Sequence, residues 1–216
     1  MVKIKICGIR RFEDIEIVNK YEPDYIGFVF ANSKRQVTHK LAADLKSKLS
    51  QNIISVGVFV NASTDEILEL FDDGTIEIAQ LHGDESEEYI NILKEKTNNG
   101  LKIIKAIEMD ENNDLLKYDN SSADYLLLDS GKGSGKTFDW RLIRKDLKKE
   151  FFLAGGINAF NVREAILEFN PYAIDLSSSL ETDGFKDENK IKEMMEVINW
   201  VKEDMVNMAA NTYLKH

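Results

Sequence analysis

Eight short apolar runs, each followed by a polar exit and then by helical periodicity, recur through nearly the whole chain. That repetition limits the fold more than any single motif. The runs occupy residues 2–6, 25–30, 53–60, 76–80, 101–109, 125–128, 151–158 and 172–179. The first, VKIKI, alternates apolar residues with lysines and leads into Cys7 and Gly8. Between the runs, residues 11–20 place Phe12, Ile15 and Val18 about one turn apart, and residues 39–50 place Leu41, Leu45 and Leu49 on one face. DEILELF can be capped by Ser63 or Thr64, SEEYINILKEKT carries Tyr89, Ile90 and Leu93, and NVREAILEF is closed by Asn170 and Pro171. The weaker helical candidates are the polar segment up to Lys117 and a short stretch after Trp140. The last helix is longer, with Ile191, Met194, Met195, Ile198 and Val201 in register.

Strands alternating with helices at this spacing pair in parallel through right-handed crossovers. Such a sheet either stays open and doubly wound or closes as a (β/α)8 barrel. Eight strands favour the closed barrel. An open sheet would also carry a dinucleotide fingerprint in its first turn, and CGIRRF has a single glycine there. One barrel domain is expected over residues 1–203, with residues 204–216 extending the last helix.

The formal charge of −10 argues against a nucleic-acid or anionic-membrane surface, either of which needs a basic footprint. The single cysteine has no internal disulfide partner, and Met1 is followed by a charged strand instead of a signal peptide. A soluble cytoplasmic protein, monomeric more than dimeric, is the expectation. The histidines, His39, His82 and His216, have no metal-ligand spacing.

In a barrel the chemistry collects at the strand exits. Those exits hold Cys7, the SKR of residues 33–35, Gln80 with His82, Asp129, the GSGKT loop, Gly155 with Gly156, and Asp175 with the serines after it. A lone cysteine is most often a small buried hydrophobe, but at a strand exit beside a glycine it can also act as nucleophile or general base. A carboxylate at the edge of a dry interior, as at Asp129, can act as an acid or simply cap the next loop. The two come from the first and sixth strands, with room for a substrate between them.

SGKGSGKT ends like a phosphate-binding loop, but Ser130 stands where the first glycine is required, and FDW starts a helix poorly. Residues 131–137 are expected to form a flap over the mouth, with Lys136 facing an anion or water. Gly155 and Gly156 allow close backbone approach, and Ser177 and Ser178 offer further donors, which together suit a phosphate. Arg35 suits a planar carboxylate, although a surface arginine is the plainer reading. Gln80 and His82 are supporting residues, serving chemistry or loop packing equally well.

Taken in order, KICGIR, GFVF with SKR, VGVFVN, QLHG, LLLDS, GSGKTFDW, LAGGIN, DLSSSLE and KDENKI resemble the phosphoribosylanthranilate isomerase family of tryptophan biosynthesis, from Lys3 to about Trp200. The resemblance implies a (β/α)8 barrel that needs no cofactor or metal. It also implies an Amadori rearrangement of N-(5-phosphoribosyl)anthranilate to 1-(2-carboxyphenylamino)-1-deoxyribulose 5-phosphate. By the same resemblance Cys7 is the base and Asp129 the acid. Arg35 grips the anthranilate carboxylate, and Gly155, Gly156, Ser177 and Ser178 hold the phosphate. The family usually has Gly-Val after the paired serines where this chain has Ser179 and Leu180, a change that matters if the backbone there needs positive φ. Two other readings compete. Indoleglycerol-phosphate synthase, a neighbouring barrel, would use strand lysines such as Lys3, Lys5, Lys102 or Lys105. A catalytically dead scaffold would not need Cys7 and Asp129.

Overall fold

The computed structural model describes residues 1–110, 115–130, 139–144 and 146–213, with side chains to residue 208. The expected flap with Lys136 lies outside the described residues. Eight parallel strands close a barrel in chain order: β1 (Lys3–Cys7), β2 (Tyr25–Val29), β3 (Ile54–Phe59), β4 (Ile78–Leu81), β5 (Lys102–Glu108), β6 (Tyr125–Asp129), β7 (Phe151–Leu153) and β8 (Ala173–Leu176). The seam forms where β8 returns to β1, with Lys5 level with Asp175. Around it run α1 (Phe12–Tyr21), α2 (His39–Lys46), α3 (Thr64–Asp72), α4 (Glu87–Lys96), α5 (Val162–Phe169) and α6 (Glu188–Tyr213).

Side-chain hydroxyls start three of these helices: Thr38 accepts from Leu41, Ser63 from Glu66 and Ser86 from Tyr89. The two weaker helical candidates appear, within the described residues, only as 3-10 turns at Leu115–Tyr118 and Trp140–Leu142. In the second, Arg141 pairs with Asp139 and Arg144 with Asp146. Those partners are two residues apart and would not face each other on an α-helix.

Each strand is buried on both faces, as a parallel barrel requires. The outward residues, among them Ile4, Ile6, Ile26, Phe28, Leu126 and Leu128, join the helices in one apolar layer. The inward residues form a second cluster of Tyr25, Val56, Ile78, Ile104, Ala106, Leu127, Phe152 and Ala173. Strand alternation then puts Cys7, Gln80, Asp129 and Asp175 one step above this plug, at the C-terminal mouth. After β8 the chain adds an antiparallel hairpin, β9 (Glu181–Thr182) with β10 (Phe185–Lys186). Asp183 and Gly184 both take positive φ in its two-residue turn, as a tight Asp-Gly hairpin does. The guanidinium groups of Arg10 and Arg11 both lie over the Phe185 ring, 4.3 and 4.2 Å from its centroid, and Arg10 donates to the Gly184 carbonyl, which fastens the hairpin over the β1 exit.

At the opposite end a carboxylate repeats. Asp24, Glu77 and Asp124 stand immediately before β2, β4 and β6, and each accepts the backbone N–H of the preceding strand, from Ile4, Ser55 and Ile103 at 2.8–3.0 Å. Asp124 also takes the ammonium groups of Lys94 and Lys102. Burial works against its charge, but these donors outweigh it, so its carboxyl lies below the ordinary carboxylate range. A depressed folded pKa contributes stability above the unfolded value and loses it as pH falls through the folded one. Asp124→Asn is therefore expected to cost about 1–2 kcal/mol at neutral pH, discounted for partial solvation. In urea titrations the gap from the parent chain should close below about pH 4. A gap that stays constant across that range would show that the charge of Asp124 contributes nothing.

Candidate active site

Cys7 is the last residue of β1, not a loop residue beyond it, and its side chain points into the mouth. Gly27 on β2 makes room for it, since a Cβ there would lie 2.7 Å from Sγ. Two residues earlier on the same face, the fully buried Lys5 donates to both oxygens of Asp175, at 2.9 and 3.0 Å. Lys186 on β10 is also buried and donates to the Ser177 carbonyl and to Glu181 Oε1, both at 3.0 Å. Burial pushes the Cys7 thiol up, and Asp175 adds to that push, while Lys5 and Lys186 draw it back down. Burial pushes the Lys186 ammonium down, against the pull of Glu181.

Arg35 stands beside the same thiol, its stem packed against Gly8. Its Nε and Nη2 donate to the two oxygens of Glu181 at 2.6 and 2.8 Å. Burial disfavours the Glu181 charge, but Arg35 and Lys186 outweigh it, and the carboxyl lies below its ordinary range. The planar fork of Arg35 is thereby aligned along one edge, and Nη1 has no partner among the described residues.

Across the mouth, Asp129 ends β6. Its Oδ1 accepts from the Ser130 N–H at 2.8 Å, and its Oδ2 lies 3.4 Å from His82 Nε2. His82 Nδ1 lies 3.1 Å from the Gln80 amide nitrogen, and Gln80 Oε1 is buried without a partner among the described residues. Behind them Glu85 accepts from the N–H groups of Asn61 and Gly83 and pairs with Lys105, which fixes the loop that carries His82. Burial pushes the Asp175 carboxyl up, Lys5 opposes that, and Asp129 across the mouth adds to the push. The base side and the acid side thus belong to one electrostatic group.

Gly155 and Gly156 both take positive φ after β7, and a Cβ on Gly155 would strike Ser130 and Asp129 Oδ1. The Gly156 carbonyl is held by Asn158 and Asn161. The N–H groups of Gly155 and Gly156 have no acceptor among the described residues. At the adjacent β8 exit, the Ser177 hydroxyl donates to the Cys7 carbonyl at 3.2 Å, Ser178 is exposed, and the Ser179 hydroxyl is buried without a partner among the described residues. Ser179 does not take positive φ, so its Cβ meets no backbone conflict.

Cys7, Arg35, Gln80, His82, Asp129, Gly155, Gly156, Ser177 and Ser178 thus lie at the strand exits of one barrel end, with Ser177 engaged to the β1 backbone. Of the strand lysines, only Lys5 lies inside the mouth. Lys3 and Lys102 sit at the other end on Asp24 and Asp124, and Lys105 faces away from the lumen towards Glu85. Sequence reasoning missed Glu181, Lys186 and the role of Lys5. The Asp-Gly pair at residues 183–184 signals the hairpin, and a lysine two residues from a lumen-facing cysteine must itself face the lumen. Among the described residues no group of three or more His, Cys, Asp or Glu is placed to hold a metal ion.

The family model described as N-(5'phosphoribosyl)anthranilate (PRA) isomerase matches residues 4–197. An N-(5'-phosphoribosyl)anthranilate isomerase of Clostridium acetobutylicum is 48% identical over 203 residues, covering 90% of this chain and 97% of that one. Among solved structures, the phosphoribosyl anthranilate isomerase of Thermotoga maritima superposes with a TM-score of 0.82 at 34% identity, covering 91% of this chain and 98% of that one. Another phosphoribosyl anthranilate isomerase, crystallised with reduced 1-(o-carboxyphenylamino)-1-deoxyribulose 5-phosphate, gives 0.79 at 34% identity, with 91% and 97% coverage.

The cations around Cys7 can be tested directly, because it is the only cysteine. Replacing Lys186 by Met removes a charge that favours the thiolate, so ultraviolet thiolate absorbance should appear at higher pH in Lys186→Met than in the parent. An unchanged titration would mean that Lys186 does not act on the thiol.

Proposed function

This chain belongs to the phosphoribosylanthranilate isomerase family, and we propose that it performs the family's reaction with Cys7 as base and Asp129 as acid. The reaction is the Amadori rearrangement of N-(5-phosphoribosyl)anthranilate to 1-(2-carboxyphenylamino)-1-deoxyribulose 5-phosphate. The observation that carries the assignment of roles is that a thiol flanked by buried cations and a carboxylate held by the Ser130 N–H beside His82 share one barrel mouth.

The steps follow from where the protons must go. Asp129 gives its proton to the ribose ring oxygen, the C1–O bond breaks, and the anilino nitrogen pushes its electrons in to form a protonated Schiff base. The Cys7 thiolate then removes the proton from C2, and the electrons move into C1=C2 to give a neutral enolamine. Tautomerisation shifts a proton from the C2 hydroxyl to C1 and leaves the ketone. Cys7 has then gained one proton and Asp129 has lost one, so the substrate shows no net change and the enzyme is restored by proton exchange. Lys5 and Lys186 favour the thiolate when it is needed.

Two anion sites orient the substrate. The N–H groups of Gly155 and Gly156, without an acceptor among the described residues, suit the phosphate together with Ser178 and Ser179 from the β8 exit. Arg35 suits the anthranilate carboxylate, its plane already set by Glu181. A thiol base needs a reducing compartment, which supports a cytoplasmic location.

Cys7→Ser and Asp129→Asn should each lower kcat at least ~100-fold, the usual scale for a lost acid or base, with an unchanged circular dichroism spectrum. The assay is the loss of fluorescence as phosphoribosylanthranilate is consumed. Full activity in either variant removes that residue from its role.

A further inference from the structure

Gln80 is an expensive residue to place where it is. It faces the barrel lumen from β4, directly above the apolar plug, it is 2% exposed, and its Oε1 has no partner among the described residues. A buried carbonyl left without a donor is destabilising, and a methionine of similar volume would avoid that. The amide nitrogen, by contrast, is placed 3.1 Å from His82 Nδ1, and the opposite ring nitrogen faces Asp129 Oδ2 at 3.4 Å.

Three groups in a row restrict where the protons can sit. An amide N–H directed at Nδ1 requires that nitrogen to accept, so the neutral imidazole must carry its hydrogen on Nε2. That nitrogen is the one 3.4 Å from Asp129 Oδ2, while Oδ1 already takes the Ser130 N–H. With the amide reversed, Nδ1 would carry the hydrogen and Nε2 would present a lone pair to the carboxylate. Negative charge left on Asp129 would then meet an acceptor instead of a donor.

We propose that Gln80 is a positioning residue for the acid step: by donating to His82 Nδ1 it fixes the Nε2–H tautomer, which receives the charge that Asp129 develops as it gives up its proton. This rests on Asp129 being the acid. The 3.4 Å separation suits a contact that tightens when substrate charge develops, as catalytic hydrogen bonds commonly do. Gln80 needs no contact with the substrate to act in this way.

The test begins with the unaltered protein. Nitrogen-15 spectra of histidine-labelled enzyme, with His82 assigned by its loss in His82→Asn, should show the Nε2–H tautomer; an Nδ1–H tautomer overturns the proposal. As a carboxylate, the side chain of Gln80→Glu can only accept from the ring, so at a pH where it is ionised it should switch His82 to Nδ1–H and lower kcat by about 10- to 100-fold, with KM within about twofold. In a His82→Asn background the same change should have little further effect on kcat, because the relay is already broken. Equal losses in both backgrounds, or a loss confined to KM, would mean that Gln80 acts only on packing. Gln80→Met, free of the added charge, repeats the comparison should Gln80→Glu fold poorly. If Asp129→Asn keeps full activity, the acid assignment fails whatever tautomer His82 shows.

Discussion

A single buried ion pair, Lys5 with Asp175, ties the geometry of the barrel to its chemistry. Lys5 belongs to the first strand and Asp175 to the last, so the pair spans the seam where the sheet closes. Nothing in the apolar plug beneath can satisfy an ammonium group, and leaving either partner alone would cost about 3–5 kcal/mol. The same ammonium lies two residues below Cys7 on the same face, where its charge opposes the burial of the thiol. A lysine alone would over-stabilise the thiolate and would not tolerate burial. Asp175 satisfies it and moderates its field. The rest of the mouth is arranged around that balance.

Glu181 does comparable work one layer further out. One carboxylate bridges Arg35 and Lys186 and so holds two cations close together beside a thiol. Without it the guanidinium and the ammonium would repel, and the side chains would swing towards solvent. With it the fork of Arg35 is fixed in plane, and one edge remains for a second carboxylate. An arginine already paired binds its ligand less strongly than a bare one, but it loses less conformational freedom in doing so.

The barrel was legible because its strands are apolar on both faces and its exits are polar, a contrast that survives in one sequence. Cys7, Asp129, Gly155 and Gly156 were legible for the same reason. Lys5 was not, because a lysine alternating with isoleucines also describes a strand with one wet face. Only closure of the sheet turns that face into the lumen. Glu181 and Lys186 were missed because their meaning depends on a hairpin that folds back over the first loop, a contact spanning most of the chain. The turn after β6 that resembles a helix in pattern breaks down locally, where Arg141 and Arg144 find partners two residues away. Short-range pairing of that kind competes with a helix and leaves no trace in hydrophobic periodicity.

The three carboxylates at the far end also decide how the ring can breathe. They clip β1 to β2, β3 to β4 and β5 to β6, and β8 is preceded by Tyr172 instead of an acid. Among the described residues no carboxylate does the same across β2–β3, β4–β5 or β6–β7. Fraying at that rim therefore parts the sheet between clipped doublets. Among the described residues β7 and β8 carry no such clip, so the longest unclipped arc of that rim runs from β6 through β7 and β8 to β1.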